Sequence, residues 1–394
     1  MRKNKELWLV SELFYPETIS TGYIITEIAR SLSLKYDVNV VAGPEYYQAK
    51  NRKFESEMLG DVRIYRVNTN GYNKNVLTTR LIGQFLVSFK MILLMLQRIP
   101  RNSHVVIVTN PTLLFIMSSY LVKLRKWKIK LLVHDVFPEN LIAAGLLSSK
   151  SSPLYRFLKL VFNNAFLKME TLIVLGRDMK NVFEKKIGLE TRIAIVENWA
   201  DLDNIHFVYN KSNTRKFLYA GNLGRVQGIE TLLNVLSETR SEEFEFLFLG
   251  DGALDSYVKN YIESNDLRNI KKVGWLPRSA QNEFLAQSTI GVVSLTDGMY
   301  GLGVPSKFYN LLAAGKPIFY IGDRNSEVHL IMQEHEIGWY AEAGNQSMIQ
   351  RVFLEIIKCD ENILTRYSMN ARNLAKNSYS KKSILIKWNS LFDK

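Results

Sequence analysis

Short apolar runs alternate with stretches of helical spacing along nearly the whole chain, and this limits the fold more than any other feature. Runs at 7–10, 38–41, 63–67, 105–109, 131–133, 172–174 and 193–196 read as strands, with helices between them such as 21–34 and 154–168. The pattern restarts with strands at 216–219, 244–249, 270–273, 290–294 and 318–321. Helices follow at 229–237, 255–264, 279–286, 306–314 and 327–333. Strands that are apolar throughout belong in parallel sheets covered by helices on both faces. A polar, irregular stretch at 197–216 reads as the linker between two α/β halves. The expected domains are 1–203 and 204–378, with 379–394 returning to the first as a helix.

Composition narrows the class. A chain of 394 residues with 47% hydrophobic residues buries a large core without staples. The single cysteine, Cys359, excludes a disulfide framework, and the five histidines show no metal-binding spacing. The cytoplasm is the simplest compartment. The first apolar run, 7–10, is too short for a signal peptide. The most apolar stretch, 80–101, is interrupted by Gln84 and Lys90, so it reads as a buried or membrane-surface helix. Residues 1–200 hold 29 Lys and Arg against 16 Asp and Glu; residues 201–394 hold 22 of each. The whole net charge of +13 therefore sits in the first half and points to an anionic partner. The cluster KLRKWKIK at 123–130 mixes cations with Trp127, as a lipid headgroup region favours, and equally suits a solvated turn.

Ligands of open α/β sheets sit beyond the carboxyl ends of strands. Five loops there carry unusual residues: VHD, YAGNLGRVQG, GDG, GWLP and TDGMYGLGVPSK. Four belong to the second half, which makes it the main ligand-binding half, with His134 supplied across a cleft. Gly221, Gly224 and Gly228 surround Arg225 in a loop entering a helix, although this is neither a P-loop nor G-x-G-x-x-G. In the fifth loop Pro305 ends a glycine-rich approach, Ser306 is the expected N-cap, and Lys307 falls in the first turn. A lysine there opposes the helix dipole, but beside a bound diphosphate it would act with the free backbone N–H groups as a clamp. Asp201 and Asp203 have D-x-D spacing but lie in the linker, so a structural role is expected of them.

These residues resemble, in order and over nearly the whole chain, the family-four retaining glycosyltransferases of the GT-B fold. The likeness is greatest to bacterial O-antigen and capsule transferases of the N-acetylfucosaminyl type. It rests on LFYPE, VHDVFPENLIAAGLL, VENWAD, YAGNLGRVQGIETLL, LGDG, VGWLP and VPSKFYNLLAAGKPI. The resemblance implies two Rossmann-like domains facing across a cleft, with a UDP-sugar bound mainly by the second. On the matching positions His134 approaches the donor, while Arg225 and Lys307 hold the departing diphosphate. The loop with Gly22 would sit near the phosphates, Gly221, Asn222, Gly250 and Ser306 would bind the donor, backbone around Gly274 and Trp275 would hold the base, and Asn310 would face the ribose. No metal cofactor is implied. The implied acceptor is a polyprenyl-diphosphate-linked saccharide, reached by peripheral contact of the basic domain with the inner face of the cytoplasmic membrane; no nucleic acid is implied. The chain departs from the broad family where an E-x7-E pair is usual, having Leu302 and Asn310, and it has Gln227 in place of a lysine. Two alternatives share the fold: a UDP-sugar 2-epimerase, and a non-catalytic nucleotide-sugar-binding partner in a polysaccharide assembly complex.

Overall fold

The computed structural model describes residues 5–17, 20–45, 57–67, 77–188, 192–209, 214–239 and 243–393, with backbone alone at 77–81. Eight strands form the first sheet: β1 (Glu6–Ser11), β2 (Asp37–Ala42), β3 (Glu57–Leu59), β4 (Val62–Arg66), β5 (His104–Val108), β6 (Lys128–Leu132), β7 (Thr171–Val174) and β8 (Ile193–Ile195). Their order is β3-β4-β2-β1-β5-β6-β7-β8, parallel throughout except for β3 against β4. Helix α1 (Ser20–Ser33) connects β1 to β2 in one direction along the sheet. Helices α2 (Leu77–Arg98), α3 (Thr112–Arg125), α4 (Glu139–Ala143), α5 (Pro153–Leu167) and α6 (Arg177–Ile187) serve connections running the other way. Right-handed crossovers put these two sets on opposite faces. Thus α2, α3, α5 and α6 pack side by side in one layer.

The second sheet contains β9 (Arg215–Ala220), β10 (Phe244–Leu249), β11 (Ile270–Val273), β12 (Ile290–Ser294), β13 (Ile318–Gly322) and β14 (Gly338–Glu342). Its order is β11-β10-β9-β12-β13-β14, all parallel. Its helices are α7 (Ile229–Glu238), α8 (Asp255–Ser264), α9 (Gln281–Gln287), α10 (Ser306–Ala313), α11 (Glu327–His335), α12 (Gln346–Ile357) and α13 (Glu361–Asn377). The last helix, α14 (Lys381–Ser390), lies against α1, where Asn389 Nδ2 donates to Ser31 Oγ at 3.1 Å. Every expected strand is present, all within a residue or so except β6, which starts three residues before the expected 131. β3 and β14 were not foreseen: β3 is a short, half-exposed edge, and β14 begins on a glycine and alternates in burial.

One buried apolar cluster runs through the first sheet and across the seam to Phe308, Tyr309 and Val328; another, around Phe217, Phe246 and Phe353, fills the outer layer of the second domain. The seam also has a reciprocal polar contact. The Asp178 carboxylate, at the start of α6, accepts from the Glu327 backbone N–H at 3.0 Å. The Glu327 carboxylate, at the start of α11, accepts from the Arg177 backbone N–H at 2.6 Å. Each acid thus caps the other domain's helix, where the dipole favours it. Arg177 adds an ion pair to Glu334 at 2.6 Å. Close by, the chain crosses between domains twice, and the crossings are tied where the Ala200 N–H donates to the Tyr379 carbonyl at 2.7 Å.

Two expectations about the first domain change. Trp127 is not a surface anchor: it is 2% exposed and donates its indole N–H to the Pro100 carbonyl at 2.9 Å. The apolar stretch from 80 is neither wholly buried nor wholly exposed. α2 buries Val87, Met91 and Met95 and turns a second apolar stripe outward.

Candidate active site

The order of the second sheet reverses between β9 and β12, and a crevice opens at such a reversal. A cleft of about 710 Å³ lies there, between the two domains. The loops after β9, β10, β11 and β12 line it from one side, and Ser20, His134 and Asp135 from the other. A hollow of about 890 Å³ lies over the amino-terminal halves of β9, β10 and β11. We place the site in the smaller cleft because the strand-end loops of both domains converge there.

Backbone approach fixes the floor. Gly250 has φ +131°, and a Cβ on it would sit 2.1 Å from the Gly221 carbonyl oxygen. Gly221 has φ +144°, and a Cβ on it would sit 3.1 Å from Lys307 Cε. The three loops are therefore stacked, each closed by the next. Gly250→Ala is expected to cost about 1–3 kcal/mol in backbone strain and to displace Gly221. A lowered urea midpoint with loss of ligand-induced thermal stabilisation checks this.

Lys307 is partly buried in the cleft wall. Its ammonium lies 3.5 Å from the centroid of the Tyr219 ring and donates to Gln227 Oε1 at 3.2 Å. Tyr219 Oη donates to the same oxygen at 2.9 Å and to the Asn222 carbonyl at 2.8 Å. No carboxylate pairs with Lys307 among the described residues, and burial pushes its pKa well below the usual lysine value. The first backbone N–H groups of α10 have no partner within the helix, and Lys307 stands among them. One turn on, Asn310 also lines the cleft.

His134 lies just past the end of β6 and is partly buried, its backbone N–H donating to Thr109 Oγ1 at 3.1 Å. Burial lowers its pKa to about 4, so the imidazole is neutral near pH 7. Its Nε2 is buried without a partner while the residue lines the cleft. A buried polar atom so placed is a candidate contact for a ligand. Asp135 beside it accepts from Asn140 Nδ2 at 2.9 Å, and burial raises its carboxyl to about 6. Asp251 ties the β10 and β11 loops together, accepting from the Trp275 backbone N–H at 3.1 Å and from Lys272 at 3.1 Å.

The structure thus brings His134, Gly221, Asn222, Gly250, Trp275, Ser306, Lys307 and Asn310 to one cleft. Three expected residues lie elsewhere. Arg225 opens an exposed 3-10 turn and does not line the cleft; its neighbours Val226 and Gln227 do. Gly22 faces the Glu17 carbonyl, 2.9 Å from where its Cβ would be, and Ser20 reaches the cleft instead. Gly274 stands beside Asp251 outside the lining. Ser306 is not the N-cap: Pro305 holds that position, and Ser306 Oγ meets Ser20 Oγ across the cleft at 3.2 Å. Leu302, at the first E-x7-E position, is 5% exposed, its carbonyl accepting from the Val136 N–H at 3.1 Å across the seam. Asp201 bears out its structural reading: its carboxylate takes Arg278 at 2.6 Å and Asn204 at 3.0 Å.

The family model described as "Glycosyl transferases group 1" matches residues 201–374. The probable glycosyltransferase WbjE of Pseudomonas aeruginosa is 34% identical over 298 residues, 73% of this chain and 74% of that one. This chain belongs to the group 1 glycosyl transferases. The putative colanic acid biosynthesis glycosyl transferase WcaI of Escherichia coli is 23% identical over 329 residues, 77% of this chain and 79% of that one. Among solved structures, Anabaena HepE in complex with UDP matches with a TM-score of 0.65 at 13% identity over 98% of both chains. The two facing parallel-sheet domains are the GT-B architecture of such glycosyltransferases.

Sequence reasoning missed Arg278 and Tyr219. Arg278 enters the cleft and lies over the Tyr23 ring at 3.7 Å while pairing with Asp201, so it spans the domains. Its signal was available, since it directly follows the strand-end GWLP. Tyr219 reads only as a strand residue, and nothing local marks it as the platform of a lysine 88 positions later.

Proposed function

We propose that this glycosyltransferase moves a sugar from a UDP-sugar to a lipid-linked saccharide in bacterial surface polysaccharide synthesis, with retention of anomeric configuration. The observation that carries the reading is Lys307, a partly buried lysine that no carboxylate pairs with among the described residues, stacked against Gly221 at the start of α10. A folded chain leaves such a group uncompensated where an anionic ligand completes it. A diphosphate fits, since it would take both the ammonium and the free N–H groups of the helix start. UDP in the HepE structure and colanic acid biosynthesis in the description of WcaI support the donor and the setting.

In this reading the neutral His134 offers Nε2 to a sugar hydroxyl, and Asn310 offers its amide to the ribose. The bond from sugar C1 to the phosphate oxygen breaks as the acceptor oxygen bonds to C1 from the same face. The acceptor proton passes to the departing phosphate oxygen. Lys307 and the α10 N–H groups hold the charge that develops, as preorganised donors do at other leaving groups. No metal cofactor enters the scheme, and Arg225 acts only if its exposed turn folds inward over the donor. The acceptor is a polyprenyl-diphosphate-linked saccharide, and the chain works as a peripheral protein on the inner face of the cytoplasmic membrane.

A panel of UDP-sugars, scored first for thermal stabilisation and then for UDP release, tests the proposal. One sugar should both stabilise and release UDP slowly in the absence of acceptor. Absence of stabilisation by every UDP compound would overturn it. Leu302 and Asn310 favour a second reading, a binder that does not turn over; tight binding without UDP release on addition of acceptor selects it, whereas an epimerised sugar selects the epimerase.

Asn310→Glu separates the ribose role from chance. A charged acceptor gains about 1 kcal/mol over a neutral one, so UDP binding is expected to tighten by up to about fivefold. Calorimetry reads this directly; a large loss of affinity counts against ribose contact at this position.

A further inference from the structure

Among the described residues, thirteen of the 23 exposed large hydrophobic side chains lie between residues 82 and 167, a concentration the cleft does not use. On α2 they are Ile82, Phe85, Leu86, Phe89 and Leu93, between 43% and 61% exposed. Their spacing of i, i+3, i+4, i+7 and i+11 makes one stripe about 100° wide, opposite in sense to the buried stripe that holds the helix to its sheet. On α5, Leu154, Phe157, Leu160 and Leu167 are 53% to 71% exposed. Between these two helices α3 turns out Tyr120 and Leu124, at 58% and 61%. Three adjacent helices of one layer therefore present apolar side chains to solvent.

Their charge is equally one-sided. α2 carries three Lys or Arg, α3 two and α5 two, and none of the three carries an Asp or Glu. Lys168, just past α5, sits 4.0 Å over the Tyr120 ring, a cation held on an aromatic at the surface. A contiguous patch of this kind is not ordinary surface scatter.

We infer that the outer face of α2, α3 and α5 seats the first domain on an anionic phospholipid bilayer. A bilayer supplies both complements at once, phosphates for the cations and an acyl boundary for the apolar stripe. A second copy is the poorer occupant, because a twofold contact would set the cations of one face against the same cations of the other. No helix among the described residues is long and apolar enough to cross a membrane, so the face lies on the bilayer. A chain of contacts runs from α5 toward the site. Tyr155 Oη at the start of α5 donates to Glu139 at 3.2 Å, and Glu139 follows the His134–Asp135 lip of the cleft by four positions. An acceptor carried in the bilayer thus emerges beside the first-domain wall of the cleft. This inference deepens the lipid-linked reading in purpose, but its evidence is independent of donor chemistry.

Flotation of the full chain with phosphatidylcholine vesicles, with and without phosphatidylglycerol, tests it. The wild type is expected to float only with phosphatidylglycerol. Phe85→Ser with Phe89→Ser, and separately Phe157→Ser with Leu160→Ser, should each weaken partitioning by about tenfold or more. All four sites are exposed, so folding is preserved, and lipid-free stabilisation by UDP is the check that it is. Ile386→Ser, equally exposed but on α14, should float as the wild type does. Failure of the wild type to float overturns the inference, as does flotation that the four serines leave unchanged or that Ile386→Ser abolishes. Loss of UDP binding with flotation intact overturns the donor assignment alone.

Discussion

Lys307→Ala is expected to lower kcat/KM by about 10²- to 10³-fold, the usual cost of removing one preorganised group that meets developing negative charge. Its stability should be unchanged or higher. Burial without a carboxylate holds the pKa down, so the charged form costs the folded protein free energy and the cost grows as pH falls. Lys307→Met, which keeps most of the volume against Gly221 and Tyr219, separates lost charge from lost packing and should be as inactive as the alanine variant. The same physics predicts a proton. If the amine is neutral in the free protein and charged beside a diphosphate, UDP binding takes up a proton, and affinity falls as pH rises. Calorimetry in buffers of different ionisation enthalpy reads the uptake, which disappears in Lys307→Met. Near-normal turnover by either variant rules out the clamp.

Glu327→Ala is expected to cost about 2–3 kcal/mol. The side chain is 5% exposed, and its loss strips Arg177 of a backbone and a side-chain acceptor while leaving Glu334. The cost falls at or below the bottom of the range for breaking a fully buried pair because Arg177 is 41% exposed. Urea unfolding should show an earlier transition, with the two domains separating in cleavage experiments before either unfolds. Its reciprocal partner behaves oppositely. Burial raises the Asp178 carboxyl to about 6 from its usual 3.8, so its ionisation imposes a cost that is absent below about pH 4 and complete above about pH 6. Asp178→Asn keeps an oxygen for the Glu327 N–H but loses the second oxygen, which accepts from the Met179 N–H at 2.7 Å, a cost that does not change with pH. Relative to the wild type, the variant should gain on the order of 2 kcal/mol of stability between pH 4 and pH 7.5. Stability profiles that stay parallel across this range count against the assignment.

Much of the framework was legible because strand runs apolar on both sides have few alternatives. Loops at strand ends then fall at one edge of each sheet, which is why Gly221, Gly250, Lys307 and His134 could be grouped without coordinates. What stayed hidden depends on the third dimension. Periodicity shows that α2 has apolar residues but not that two stripes exist and only one is covered. Trp127 beside five cations looks like an anchor until its indole is found bonded to the Pro100 carbonyl. Arg225 shares its loop with Gly221 and yet points away, since a 3-10 turn of three residues shows Val226 and Gln227 to the cleft instead. The seam partners Asp178 and Glu327 are 149 positions apart in ordinary helix-start contexts, so neither announces the other.

The paired crossings at Ala200 and Tyr379 bear on how the halves can move. A single connecting segment would let one domain swing and twist freely about the other. Two segments joined by a hydrogen bond act as a door hung on adjacent pins, leaving one soft axis and suppressing torsion about the long direction of the molecule. Opening then carries Lys307 and His134 apart and back along a fixed arc. Registry between the walls is kept by the geometry of the linkage, without needing to be found again at each turnover.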